Sequence, residues 1–224
     1  LHPRFIECIA YAKKHGIKEV SFLTNGSFLS RERIELIIEA GADWITISFD
    51  GLNETYEHIR APLKYEETLN KIEEIKRIKN ERGLVKPVIK VQSVWPAIRK
   101  DPQAYYNTFA PHVDLIAFNP LIDYLGNDTD IVYLENFSCP QLYQRLVVSS
   151  EGKVLMCASD EASEAVVGDA RSESIYAIWH GERLNEIRQI HQQEQGFLLV
   201  PLCRKCFLPR ATKDDERALV NGRE

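Results

Sequence analysis

The sequence predicts an α/β fold in which parallel strands alternate with helices, followed by a smaller cysteine-bearing module. Three observations predict it. Up to about Asp123, apolar residues recur with the helical period in some stretches and as short strand-like runs in others, in strict alternation. Where each strand ends, the apolar run gives way to small or polar residues. After about Asn127 the composition changes, and four of the five cysteines lie from Cys139 onward.

The elements follow in order. Pro3 to His15 reads as a helix, with Phe5, Ile6, Ile9 and Ala12 at helical spacing and Gly16 as its stop. Glu19 to Thr24 is a short strand ending in Asn25-Gly26. Ser30 is a suitable N-cap for a helix that runs to near Gly41. Trp44 to Phe49 is the next strand, followed by Asp50-Gly51. A long helix from Tyr65 to Glu81 carries Ile72, Ile75 and Ile78 on one face and is closed by Gly83. Val88 to Val94 is a strand that Pro96 ends, Pro102 to Phe109 is helical, and Asp114 to Ile122 is a fourth strand. Such alternation implies parallel strands joined by crossovers. It suits half of a TIM-like barrel or part of an open doubly wound sheet. In both, ligands gather beyond the carboxyl ends of the strands, here Thr24-Asn25-Gly26, Ser48-Phe49-Asp50-Gly51, Gln92-Ser93 and Asn119.

Past Asn127, Leu146 to Ser149, Glu151-Gly152 and Val154 to Met156 read as a tight β-hairpin. Ile175 to Ile190 reads as one helix, and a polar stretch at Gln192 to Gln195 leads to Cys203-Arg204-Lys205-Cys206. The charged last dozen residues are expected to fray. The expected domains are therefore 1–127 and 128–224.

Bulk properties bound the function. With 44% hydrophobic and 27% charged residues, the chain reads as globular. A net charge of −5 argues against a nonspecific nucleic-acid partner, and no apolar run approaches a membrane span. An odd five cysteines, not spaced like a secreted disulfide framework, point to a reducing, cytoplasmic setting with ligands or buried thiols. The sequence opens Leu1-His2-Pro3 and its single methionine is Met156, so it reads as part of a longer protein.

Cys203 and Cys206 form a C-x-x-C pair, a spacing that lets two thiolates reach one metal ion or cluster from a tight turn. Cys157 ends the second hairpin strand and Cys139 precedes the hairpin. Four thiolates is the ligand count of a 4Fe–4S cluster and of a structural zinc alike. Cys8, among the apolar residues of the first helix, reads as a core thiol.

The strings CPQLYQRLVVSSEGKVLMCASD, GDARSESIYAIWHGERLNEIR and CRKC resemble the SPASM/twitch module of radical SAM enzymes, in which G-x4-C follows an earlier cysteine and a C-x-x-C completes the set. Gly152 to Cys157 fits that pattern. No cysteine follows Cys206, so the resemblance is to the short form. It implies one auxiliary 4Fe–4S cluster held by Cys139, Cys157, Cys203 and Cys206. The earlier part resembles the second half of a radical SAM partial barrel, through Thr24-Asn25-Gly26, Ser48-Phe49-Asp50-Gly51 and the Y-x-x-I-R of Tyr56 to Arg60. That family's GGEP and C-x3-C-x2-C motifs are not among these residues, which the resemblance explains by a truncated chain.

The resemblance places Ser48 and Asp50 on the rim where S-adenosylmethionine sits. A hydroxyl and a carboxylate there suit sugar hydroxyls and an ammonium group; the alternative is that Asp50-Gly51 is only a turn and a cap. Asn25 can supply an amide or shape the turn before Gly26. Gln92 is a ligand contact or a satisfied core amide. Arg60 can pair with the ligand's carboxylate or with a carboxylate of the protein. Six histidines share no spacing and none is assigned a role. Trp179 is expected to pack on the hairpin and shield the cluster.

The resemblance implies a radical SAM enzyme that generates a 5′-deoxyadenosyl radical for hydrogen abstraction. Oxidation of a sugar, alcohol or peptide substrate is expected, with S-adenosylmethionine, a second 4Fe–4S cluster in the full-length protein, and a reducing partner of flavodoxin or ferredoxin type. This fragment alone is expected to be inactive. The alternatives are a zinc-stapled binding module and an electron-transfer scaffold, neither with S-adenosylmethionine chemistry.

Overall fold

The computed structural model describes residues 2–119, 131–211 and 217–222. The chain forms two compact units, Leu1–Leu121 with Asp214–Glu224, and Ile122–Lys213. The boundary expected at 127/128 and the last residues of the fourth strand, 120–122, lie outside the described residues.

The first unit runs α1 (Phe5–Lys14), β1 (Ser21–Thr24), α2 (Arg31–Glu39), β2 (Trp44–Ser48), α3 (Asn53–Ile59), α4 (Tyr65–Glu81), β3 (Val88–Val94), α5 (Trp95–Ile98), α6 (Pro102–Phe109) and β4 (Leu115–Asn119). The four strands are parallel and lie in chain order, β1-β2-β3-β4. A doubly wound sheet reverses strand order and carries helices on both faces. Here Ile45, Ile47, Phe49, Ile89 and Val91 share one buried core with Ile34 and Ile37 of α2, the Ile72/Ile75/Ile78 stripe of α4, and Tyr105 and Phe109 of α6. The alternate strand residues Thr46, Ser48, Lys90 and Gln92 stay half-buried on the other face. Helices on one face and an uninterrupted strand order define part of a barrel rather than a doubly wound sheet.

Local chemistry sets the helix ends. Ser30 accepts from Arg33 N at 3.2 Å, as its N-cap role requires. Asp101 likewise caps α6, accepting from Ala104 N at 2.8 Å, with Pro102 in the first turn. Two helices have weak sequence signals. Helix α3 has no side-chain N-cap, and α5 is a single turn that uses Pro96 near its start where Pro96 reads only as a strand stop.

Two expectations are corrected. Cys8 is exposed, not a core thiol, because α1 buries Ile9 and packs Phe5 and Ile6 on the core, and Cys8 falls outside that stripe. The tail does not simply fray. Ala218 packs on the first core, and Asn221 exchanges two hydrogen bonds with the Gln103 amide, at 3.0 and 3.1 Å.

The amino ends of the strands are tied by aspartates. Asp43, 3% exposed, accepts from Val20 N, Lys13 Nζ and Lys86 Nζ at 2.8, 2.8 and 2.6 Å. Asp114 accepts from Ile89 N and the buried Lys79 at 2.7 and 2.6 Å. The Lys13 bond, then the Lys86 and Val20 bonds, hold the Asp43 carboxyl well below its ordinary range. A depressed folded-state pKa gives stability that is present above the unfolded value, about 4, and lost as pH falls through the folded one. Asp43→Asn is therefore expected to cost about 2 kcal/mol at pH 7. Urea midpoints should show that gap narrowing steadily below about pH 4.

The second unit holds a 3-10 turn (Pro140–Tyr143), β5 (Val147–Val148), β6 (Lys153–Leu155), β7 (Val166–Asp169), α7 (Ile175–His180), α8 (Glu182–His191), a second 3-10 turn (Gly196–Leu199) and the single turn α9 (Pro201–Arg204). Strands β5 and β6 form the expected antiparallel hairpin, and β7 extends it to three strands. Leu142, Val154, Met156, Val167, Ile178 and Leu184 make its core. The expected single helix from Ile175 is broken at Gly181, whose ψ of 158° is extended. A Cβ there would lie 3.1 Å from Ala177 O and 3.3 Å from Ile178 O. The side-chain-free residue lets α8 restart directly against the end of α7.

Candidate functional site

Two places bear on function, one in each unit. In the first, parallel pairing sets Ser48 directly beside Gln92 at the carboxyl end of the sheet, both half-buried. Asn25 is exposed beyond β1, where its Oδ1 accepts from Ser27 N at 3.1 Å and Ser27 Oγ at 2.8 Å. That side-chain turn leaves the left-handed conformation to Gly26, at φ +80°. Lys71, which the sequence reading did not single out, pins this loop by donating to Gly26 O and Ser27 O, both at 3.0 Å.

Asp50 and Arg60 are committed to each other. Asp50 is 3% exposed; its Oδ1 accepts from Val94 N at 2.8 Å and its Oδ2 takes the Nε and Nη2 donors of Arg60. Arg60 sits at the C-cap of α3, so the pair ties the β2 exit, the end of β3 and α3 together. Arg60 thus pairs with a carboxylate of the protein, and Asp50, read from sequence as a ligand contact or a turn and cap, takes Arg60 and Val94 N as partners. Ser48, Gln92 and Asn25 remain at the rim.

In the second unit the four module cysteines line one apolar cavity with Gln141, Leu142, Met156, Ser159, Leu202 and Leu208. They arrive from separate elements. Cys139 is the residue before the Pro140–Tyr143 turn, Cys157 follows β6 after Met156, Cys203 lies in α9, and Cys206 follows it. All are free thiols. Backbone N–H groups face the sulfurs: Ser159 N is 3.4 Å from Cys157 Sγ, Leu208 N is 3.5 Å from Cys206 Sγ, and those of Gln141 and Leu142 are directed at Cys139.

Burial pushes the Cys203 thiol up to about 12, with the neighbouring cysteines adding to the shift. Burial also raises Cys139 and Cys206. Reactive nucleophilic or redox cysteines need the opposite, a lowered pKa. Four crowded, apolar thiols with N–H donors aimed at their sulfurs suit thiolates whose charge an inserted cation or cluster offsets. Among the described residues no group of three or more His, Cys, Asp or Glu is placed to hold a single metal ion. Four thiols around one cavity are the ligand count of a 4Fe–4S cluster and of a structural zinc alike.

Two further residues brace the cavity, neither assigned from sequence. Arg188, 9% exposed, donates to Leu142 O at 3.0 Å and to Trp179 O and Asn185 Oδ1 at 2.8 and 2.9 Å. Its guanidinium lies 4.3 Å from the Trp179 ring centre, so Trp179 serves as a packing platform. His191, 1% exposed, lies between Cys139 N and Cys203 Sγ. Its only sequence signal is its place on the buried face of α8, seven residues after Leu184.

Residues 1–90 match the family model of the radical SAM superfamily, and residues 139–207 match SPASM, an iron–sulfur cluster-binding domain. The chain belongs to the radical SAM proteins that carry a SPASM-type iron–sulfur module. Solved structures agree on the fold. BtrN in an open conformation is 14% identical with a TM-score of 0.53, over 96% of this chain and 69% of that one. The anSMEcpe structure with bound AdoMet and the peptide Cp18Cys is 15% identical with a TM-score of 0.62, over 86% and 67%. SuiB of Streptococcus suis, bound to S-adenosylmethionine, is 11% identical with a TM-score of 0.52, over 90% and 56%. A second BtrN structure, 17% identical with a TM-score of 0.55, holds AdoMet and 2-DOIA; the chain covers 66% of its length. No curated protein matches the sequence. Among the described residues no helix is long and apolar enough to cross a membrane.

Proposed function

We propose that this chain holds one auxiliary 4Fe–4S cluster through Cys139, Cys157, Cys203 and Cys206, and contributes Ser48, Gln92 and Asn25 to a site for S-adenosylmethionine. The observation that carries the reading is the gathering of four free thiols into one apolar cavity. When bound, such a cluster supplies one-electron transfer. The chain's own groups do the rest. Four thiols give up their protons on loading. The N–H groups of Ser159 and Leu208 offset thiolate charge. Leu142, Met156, Leu202 and Leu208 keep water from the sulfurs. With cysteine at all four positions, a bound cluster would have no open site for substrate and would supply electron transfer.

In this reading the whole protein is an oxidoreductase. S-adenosylmethionine, cleaved to methionine and a 5′-deoxyadenosyl radical by one electron from a second 4Fe–4S cluster, would supply hydrogen abstraction from a sugar, alcohol or peptide, and the auxiliary cluster would supply the electron acceptor. The BtrN and anSMEcpe structures, one holding 2-DOIA and the other a peptide, support both substrate classes. The C-x3-C-x2-C motif that this reaction needs is not among the 224 residues. A flavodoxin- or ferredoxin-type donor and a cytoplasmic setting complete the proposal; free thiols suit the latter, since a reducing compartment preserves them. The test is anaerobic purification with iron, labile sulfide and zinc assays. About four irons and four sulfides per chain are expected. Zinc alone, at about one per chain, would sink the cluster and restore the zinc-stapled reading.

A further inference from the structure

We infer that His191 is a positioning residue of the four-cysteine site: its Nε2–H donates a hydrogen bond to the Cys203 thiolate and makes the bound cluster easier to reduce. The inference rests on the proposal that these cysteines hold a cluster.

The geometry sets the direction of the bond. Nδ1 of His191 lies 3.5 Å from the backbone nitrogen of Cys139, which carries a proton and can only donate. Nδ1 is therefore the accepting nitrogen. In a neutral imidazole the single ring proton then resides on Nε2. That nitrogen lies 3.4 Å from Cys203 Sγ. The ring is 1% exposed, so no water competes for either nitrogen. One side chain thus grips two of the four cysteines, one by its backbone and one by its sulfur.

The arrangement also completes a pattern. Cys157, Cys206 and Cys139 each have backbone N–H groups directed at sulfur. Among the described residues, His191 is the donor set against Cys203 Sγ. Its position is built, not incidental. It ends α8, whose packing is fixed by the buried Leu184 and by Arg188 reaching Leu142 O, three residues after Cys139. Hydrogen bonds to cluster sulfurs draw off negative charge and stabilise the reduced state, in which one electron has been added and no proton moved.

Three measurements test it, with His191→Leu removing the donor and His191→Gln retaining an N–H near the Nε2 position. Iron and sulfide assays on the wild type come first and judge the cluster itself. Redox titration with a chemical reductant, followed by electron paramagnetic resonance, should then show the reduction equilibrium weakened about tenfold in His191→Leu, a 59 mV drop for one electron. His191→Gln should stay within about threefold of wild type, the difference that separates a donor from a packing role. A fully loaded His191→Leu with an unchanged equilibrium overturns the inference. If that variant fails to load, wild-type protein with ¹⁵N-histidine decides. The reduced cluster should show weak coupling to one ring nitrogen; no coupling, or the strong coupling of a direct ligand, overturns it. Should the wild type hold no cluster, ¹⁵N shifts of the metal-free protein must still report the Nε2–H tautomer. An Nδ1–H tautomer would refute the bond whatever metal the cysteines bind.

Discussion

Replacing Cys203 and Cys206 together by serine is expected to abolish cluster loading and to release the 201–206 segment from the second unit. A serine hydroxyl does not ionise near neutral pH and cannot replace a thiolate toward iron. The structural consequence follows from how little else holds the segment. Helix α9 is one turn of four residues with no fully buried side chain. Its fold depends on Leu202, Cys203 and Leu208 packing at the margin of the second core. Structural four-ligand metal sites contribute on the order of 10 kcal/mol to folding, comparable to the whole stability of a small domain. The double variant should therefore show no iron–sulfur absorbance and bind iron only at background level. It should also become open to proteolysis between Val200 and Leu208. Cys8→Ser supplies the matched control, because Cys8 is exposed on α1 and no loss of iron is expected there. Full iron content in the double variant would refute the assignment of the C-x-x-C pair as ligands.

Much of the barrel portion was legible because its signals are local and redundant. Helix α4 shows this best. Its isoleucine stripe, its length and the closing Gly83 agree, and the observed element spans Tyr65–Glu81. Strand β3 was equally plain, as a β-branched run that alternates between buried and half-buried residues. Failures came where tertiary context overrides local pattern. Helix α3 has seven residues and no polar cap, so nothing local announces it. Strand β7 contains Gly168, a poor strand former; a Cβ there would meet Ile178 Cγ1 at 2.7 Å, so the residue serves the approach of α7. Cys8 was misread because a helix with a narrow apolar stripe exposes even apolar-looking positions beside it.

The candidate sites divide the same way. That the four cysteines come to one cavity was legible from the C-x-x-C spacing together with the family resemblance. Their supporting shell was not. His191 and Arg188 act through contacts between segments about fifty residues apart in sequence, Cys139 with His191 and Leu142 with Arg188, which no local window contains. Asp50 and Arg60 were seen as chemically capable, yet sequence could not say that each is the other's partner.

That pairing carries the second large effect. Asp50→Ala is expected to destabilise the first unit by about 3 kcal/mol. The carboxylate is 4% exposed and serves two donors at once, Val94 N through Oδ1 and the Arg60 guanidinium through Oδ2. Its removal leaves a backbone N–H without its acceptor at the end of β3, costing about 1–3 kcal/mol. It also strands a guanidinium whose side chain is 30% exposed and partly able to recover water, so that loss falls below the full penalty of a buried pair. The turn itself requires glycine: Gly51 follows at φ +80°, and a Cβ there would lie 2.5 Å from Thr55 Cγ2. Asp50→Asn keeps an oxygen for Val94 N and should cost roughly half as much. Arg60→Met should cost about as much as the alanine change, because it leaves the better-buried Asp50 side chain with Val94 N but without its guanidinium partner. The Asp50→Asn, Arg60→Met double variant should then be less destabilised than the sum, since each change removes what the other left unpaired. Urea midpoints at constant m-value read all four proteins without any ligand. If Asp50 and Arg60 served chiefly as contacts for S-adenosylmethionine, those midpoints would not move and only ligand binding would weaken. A large coupling in the ligand-free protein instead makes the pair the frame that holds the β2 exit against β3, beside the Ser48 and Gln92 side chains at the rim.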